Sequence, residues 1–175
     1  MSSVADPLSP WIYVACLAAY NAGRLHGTWI DVEDEETVKD AITVMLSVSP
    51  IAGAEEFAIH DHDGFGGVTI GEYEDIGRVV EIASFLRERG QLGALVLDHL
   101  SGNIDEASEA LDDGYRGAFE CLADYFQELT EETVMIPEPL RLYIDYEAMA
   151  RDAELSGDVF TLSTAHDKVH VFWTR

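Results

Sequence analysis

Basic side chains are scarce in this sequence: ten Lys and Arg stand against 34 Asp and Glu, a formal net charge of −24 over 175 residues. With no Lys- or Arg-rich patch, the chain lacks the electrostatic footprint of a nucleic-acid binder. A surface this negative is repelled by anionic lipid heads as well as by DNA. Cysteine is equally sparse. Cys16 and Cys121 are far apart and belong to no CxxC pair, so neither a disulfide framework nor a zinc knuckle is expected. Both thiols are read as core residues, one on a strand and one on a helix. No window approaches 18 uninterrupted apolar residues, and Met1 to Pro10 has no basic n-region, so export and membrane insertion are not expected and a reducing cytoplasm is. Catalytic signatures are missing too: there is no GxSxG, HExxH or P-loop, and Gly64-x-Gly66-Gly67 is too loose for a dinucleotide motif.

What is present argues for a folded chain. Hydrophobic residues make up 47% and aromatics 10%, enough to bury a core despite the charge that would otherwise favour disorder. Trp11 to Ala18, a turn at Tyr20 to Gly23, and Leu25 to Val32 read as a β-hairpin. Asp34 is placed to cap a helix whose Val38, Ala41, Ile42, Met45 and Leu46 share one face, with Pro50 as its stop. Glu56 to Asp61 alternates as a third strand, and Asp63 to Gly67 marks a boundary.

Helical spacing resumes at Ile76, Val79, Val80, Ala83 and Leu86, with a stop at Gly90. Short helices follow around Leu92 to Leu100 and Ile104 to Leu111. After Gly114 and Gly117 an amphipathic helix carries Phe119, Leu122, Ala123, Phe126 and Leu129. Pro137 and Pro139 break the pattern, Pro139 opening a helix through about Ala153. Val159 to Thr164 and Val169 to Trp173 form a closing hairpin around His166-Asp167-Lys168. The fold class expected is α+β, with an antiparallel-sheet and helix domain over 1–66, a helical middle domain over 67–104 and an α+β domain over 105–175.

Charge spans all three. Residues 1–66 hold eleven acids and two bases, 67–104 six and three, 105–175 seventeen and five, giving −9, −3 and −12. A solvated acidic tail would not distribute it so. Glu120, Asp124, Glu128 and Glu131 recur at four, four and three residues, which stacks them on one helix face; Asp105, Glu109 and Asp112 do the same earlier. Like charges at that spacing cost about 0.2 to 0.5 kcal/mol per pair. Only Arg116 and Arg141 flank the stripes, so the repulsion is largely uncompensated. That pattern fits a surface presenting negative potential to a basic groove. Duplex DNA carries about one charge per 1.7 Å, so 34 carboxylates match the phosphates of roughly 17 base pairs as an upper bound. The candidate surface is Glu33, Asp34, Asp40, Asp105, Glu109, Asp112, Asp113, Glu120, Asp124, Glu128, Glu131, Glu132, Asp145 and Glu147.

Plainer readings stand beside this one. Acids such as Glu35 and Glu36 in a first helical turn suit the macrodipole. Any single acidic stripe can be an ordinary solvated face, and a halophile's cytosolic protein would also be acid-rich and lysine-poor. His60-Asp61-His62-Asp63-Gly64 is where metal-binding types cluster, which keeps a metal-dependent hydrolase using His60 and Asp61 among the alternatives. On a strand, however, its alternate residues face apart. As a calcium loop it would need ligands where Ile59 and Ile70 stand. No catalytic residue, cofactor or metal is assigned.

Several blocks then fall into one pattern: Ile12-Tyr13-Val14-Ala15, Tyr20-Asn21-x-Gly23-x-Leu25-x-Gly27-x-Trp29, Glu55 to Asp61, Glu72-Tyr73, Tyr143-Ile144-Asp145-Tyr146, Arg151-Asp152 and Leu155-Ser156-Gly157. In order and across essentially the whole chain, they resemble the ArdA antirestriction proteins. The acidic stretch from Leu122 to Glu132 is similar in character to that family's antirestriction motif. The resemblance implies three small domains in an elongated, curved chain and a homodimer joined through the third. It implies a non-enzymatic, cytoplasmic inhibitor that binds the specificity and methylation subunits of Type I restriction-modification enzymes, encoded on mobile genetic elements. Met1 to Ser9 reads as an extra leader against the family pattern. In this reading Asn21 and Gly23 shape a turn, and Trp29 and Tyr143 are packed scaffold. A second kind of partner, some other basic DNA-binding protein, fits the same charge.

Overall fold

Three strands, three helices and a glycine-rich loop build the first unit of a computed structural model that describes residues 8–174; the leader segment before Leu8 lies outside the described residues. The chain is α+β, 49% helical and 22% strand, with small antiparallel sheets. It divides into two compact units, Met1–Ile104 and Asp105–Arg175.

In the first unit β1 (Trp11–Cys16) pairs antiparallel with β2 (Gly27–Asp31) and with β3 (Phe57–Asp63), in the order β2-β1-β3. The hairpin is as expected, except that Leu17 and Ala18 leave the strand for a one-turn helix, α1 (Leu17–Asn21), with Gly23 at φ +73° completing the turn. Ile12, Val14 and Cys16 point to one face and are fully buried, while Trp11 and Tyr13 point to the other. Helix α2 (Glu35–Ser47) covers the buried face with Val38, Ile42 and Met45. Its Asp34 cap accepts from the Thr37 amide at 2.9 Å and the Thr37 hydroxyl at 2.7 Å, and these bonds hold the carboxyl below its usual pKa.

Helix α3 (Ile76–His99) is broken where Gly90 takes φ +63° and ψ −156°, which accounts for two helical patterns meeting at that residue. Arg87, just before the break, anchors α3 to β2 by pairing with Asp31 at 2.8 Å and donating to the Val32 carbonyl.

The second unit opens with α4 (Ile104–Glu109), which runs into a π-helical turn at Ala110–Gly114. Tyr115–Phe119 then forms a strand, β4, where the sequence pattern gave only glycine turns and a helix start. Pairing supplies what local pattern does not: β4 lies against β6 (Lys168–Trp173), which also pairs with β5 (Val159–Ala165), in the order β4-β6-β5. A register shift between Tyr115 and Gly117 accommodates Gly117 at φ +112°. Helix α5 (Leu122–Thr133) begins only after this strand, and packs Leu122, Tyr125 and Phe126 against Ala150, Val159 and Val171. The Trp173 indole donates to the Tyr125 hydroxyl at 2.6 Å.

The helix expected from Pro139 to Ala153 is two elements. A 3-10 turn at Glu138–Tyr143 ends before Ile144, and α6 (Tyr146–Ser156) starts afresh because the Asp145 side chain accepts from the Ala148 amide at 2.9 Å. Cys16 is buried as expected, but Cys121 is exposed at the head of α5. Of the two aromatics of the scaffold reading, Trp29 packs against Tyr13 with ring centroids 5.6 Å apart while staying 45% exposed, whereas Tyr143 is 84% exposed.

Two consequences can be measured. Gly90 occupies backbone space that is essentially glycine-only, so Gly90→Ala should destabilise by about 1 to 3 kcal/mol in urea unfolding. A continuous helix would instead gain about 1 kcal/mol from the same change. His170 is buried between the Tyr115 hydroxyl at 2.8 Å and Thr164 Oγ1 at 2.9 Å, and burial, then the Lys168 charge, lower its pKa. The unfolded chain therefore takes up this proton first, and stability present above about pH 6.5 is lost as pH falls below it. Comparing urea midpoints at pH 7.5 and 5.5, His170→Gln should remove a downward step that the wild type shows.

Candidate functional site

Burial of apolar side chains leaves the acids with one place to go. Among the described residues every Asp and Glu is exposed apart from Asp31 and Glu74, which are half-buried, and none is buried. All fourteen candidate acids are on the surface. Three of them, Glu33, Asp34 and Asp40, lie in sequence at or just after the β2–α2 connection of the first unit, close to the half-buried Asp31; the other eleven candidates lie in the second unit.

Helix α5 shows how the second unit arranges charge. Tyr125, Phe126 and Leu122 face the core, which turns Asp124, Glu128 and Glu131 to water on the opposite side. Glu120 is not part of this helix: Cys121 is its N-cap, so Glu120 belongs to the connection from β4. Glu132 sits on the flank of the stripe. Earlier, Asp105 and Glu109 share α4, but Asp112 and Asp113 fall in the π-helical turn, whose wider winding displaces them from a strict four-residue register. Arg116 donates to the Asp113 carbonyl at 3.1 Å rather than to a carboxylate.

The structure also brings together acids that are distant in sequence. Asp124 of α5 shares a surface hollow of about 460 Å³ with Asp145 and Glu147, where α6 begins. Gln127, Tyr143 and Cys121 line the same hollow. Asp145 is committed to its cap, so Asp124 and Glu147 are the acids there not used in capping α6. Tyr143 and Leu142 were absent from the candidate surface; the one signal for them was their place after a proline-broken segment, where a packed helix was the simpler reading.

Compensation is local and incomplete. Lys39 pairs with Glu35, Arg78 with Glu81 at 3.2 Å, Arg87 with Asp31, and Arg141 with Glu138 at 3.0 Å and Glu131 at 3.9 Å. Exposed pairs of this kind contribute about 0 to 1 kcal/mol each. Even one-to-one pairing of all ten bases would leave 24 acids without a basic partner.

At the His60 to Asp63 strand end the two imidazoles turn to different partners. His60 Nε2 lies 3.6 Å from Glu72 and its ring meets Tyr20 edge-on, while His62 Nε2 accepts from the Ile70 amide at 3.2 Å. Among the described residues no three His, Cys, Asp or Glu side chains converge on a common point. No helix among them is long and apolar enough to cross a membrane.

Uncompensated charge predicts a salt response. Raising ionic strength from about 0.01 M to 1 M shortens the screening length from roughly 30 Å to 3 Å, so the melting temperature should climb while circular dichroism shows a folded chain at the low end. Loss of the fold at 0.01 M would identify a halophile's acidic surface instead.

Comparison with known proteins agrees with the pattern of blocks. No curated protein matches the chain. A family model does, over residues 12–168, and it describes the antirestriction protein ArdA. With nearly the whole chain inside that match, this protein belongs to the ArdA antirestriction family.

Proposed function

We propose that this protein is an antirestriction inhibitor that works as a DNA mimic: its exposed carboxylates take the place of phosphates in the DNA-binding groove of a Type I restriction-modification enzyme, on the specificity and methylation subunits. The observation carrying this reading is the exposure of every described acid but Asp31 and Glu74, combined with too few bases to neutralise them. A protein that binds through a basic groove releases the groove's counterions on either DNA or its counterfeit, and that release supplies the driving force. The reading requires no catalytic group and no cofactor, and it places the protein in the cytoplasm, where restriction enzymes meet incoming DNA.

The contact is distributed. The two compact units carry equal charge, seventeen acids and five bases each, but the second is 71 residues long against 104. The denser unit is therefore assigned the larger share of the contact, with α5 as its centre and the three-domain division of the chain kept as the working description. A homodimer through the same C-terminal region is part of this proposal. Its support is an apolar surface that water disfavours: Met135 is 96% and Leu142 94% exposed, beside Val134, Leu140 and Tyr143.

The test is a restriction assay with purified Type I enzyme. Asp124→Asn alone should weaken inhibition only a fewfold, as expected for one exposed charge among many. Reversing Asp124, Glu128 and Glu131 together to Lys should abolish most of it, with the fold checked by circular dichroism. Undiminished inhibition by the folded triple variant would remove α5 from the contact.

A further inference from the structure

Strand β2 is the outer strand of the β2-β1-β3 sheet, and no other described strand lies beyond it. Its pairing with β1 fixes which backbone groups are spent. Cys16 donates to the His26 carbonyl at 2.9 Å and Val32 to the Pro10 carbonyl at 3.0 Å, so the hydrogen-bonded pairs alternate through Val14–Thr28 and Ile12–Ile30. By that alternation the amides of Gly27, Trp29 and Asp31 point away from the sheet. The Trp29 carbonyl receives only the hydroxyl of its neighbour Thr28, at 3.4 Å.

An open edge of this kind is a template for another strand, and proteins usually blunt it with charge, proline or a covering element. Here the edge borders an apolar groove of about 690 Å³. One wall is Trp29 and Ile30 of β2; the other is Ala41 and Val44 of α2 with Val48, its C-cap. The stripe Ala41, Val44, Val48 runs beside the buried stripe Val38, Ile42, Met45, and its Val44 and Val48 stay 63% and 66% exposed. A fourth strand laid on β2 would cover it.

We propose that β2 accepts, by strand addition, an extended segment of a partner protein whose side chains alternate between apolar and Lys or Arg. The alternation follows from the pleat: one side of an added strand meets Val44 and Val48, while its Lys or Arg side chains match the exposed Glu33 carboxylate that lines the same groove. Charge decides against a second copy of this chain. The groove is lined by Asp31 and Glu33 and by no Lys or Arg, so self-pairing through β2 would bring carboxylates to it and no cation. The groove belongs to the first unit and α5 to the second; Glu33 enters both readings, but the strand ladder does not depend on phosphate mimicry. The edge binds through main-chain hydrogen bonds, which phosphate mimicry does not use.

The probe is a synthetic nine-residue peptide alternating Val and Lys, titrated into the full chain labelled with ¹⁵N. A peptide of the same charge with two central Val replaced by Pro controls for simple attraction to an acidic protein, since proline cannot continue the ladder. The expected result is slowed exchange of the Gly27, Trp29 and Asp31 amides with the Val-Lys peptide only. Affinity should fall at least about tenfold for the proline peptide and for the Val44→Lys variant, whose exposed position leaves folding intact. Trp29→Pro, which deletes an outward-facing donor, should act likewise. Equal affinity for the two peptides, or no protection along β2, would overturn the proposal. Protection of β2 before any peptide is added, lost in Val44→Lys together with a self-association step, would overturn it in favour of a second copy.

Discussion

Like charges a helical turn apart repel, and ten basic side chains cannot quiet 34 acids. Everything else in this molecule is arranged around that surplus. The acids are held in water, where the high dielectric makes each repulsion small, and the folding energy comes from apolar clusters beneath them. In the second unit that cluster is Leu122, Tyr125, Phe126, Ala150, Val159 and Val171, closed by the Trp173–Tyr125 hydrogen bond. Removing the surplus charge would relieve the repulsion but, in the function proposed above, leave nothing for a basic groove to hold.

Some acids do carry local structure. Asp34, Asp75 and Asp145 each accept a backbone amide at a helix start, and Asp31 fixes α3 to β2 through Arg87. A carboxylate spent on a cap keeps its negative charge and its exposure, so capping and display are compatible at Asp34 and Asp145. The distinction matters for substitution. Loss of a cap weakens the helix it starts, whereas loss of Asp124 or Glu128 alters surface potential and leaves the core untouched.

Much of this could be read in the sequence because the signals were local. The 3, 4, 7 spacing from Val38 to Met45, the Asp34 cap, the Gly90 break and the closing hairpin each rest on residues within one or two turns. Strand β4 was hidden because Tyr115-Arg116-Gly117-Ala118-Phe119 has no clean alternation and becomes a strand only by pairing with β6, fifty residues away. Pro139 misled in another way: it does open a helical turn, but the Asp145 cap restarts the helix, and that cap could have been recognised. For the candidate site, exposure of the acids followed from their chemistry. The hollow joining Asp124 to Asp145 and Glu147, and the exposure of Tyr143 and Trp29, depend on tertiary contacts that spacing does not encode.

Phosphate mimicry requires that the protein and DNA compete for one site. The direct measurement is a titration of this protein into a Type I methyltransferase already bound to a fluorescently labelled duplex, repeated at several salt concentrations. The account predicts complete displacement of the duplex, with the protein's own affinity for the enzyme falling steeply and linearly in log–log form as salt rises. A stable ternary complex of enzyme, duplex and this protein, or binding indifferent to salt, would contradict it.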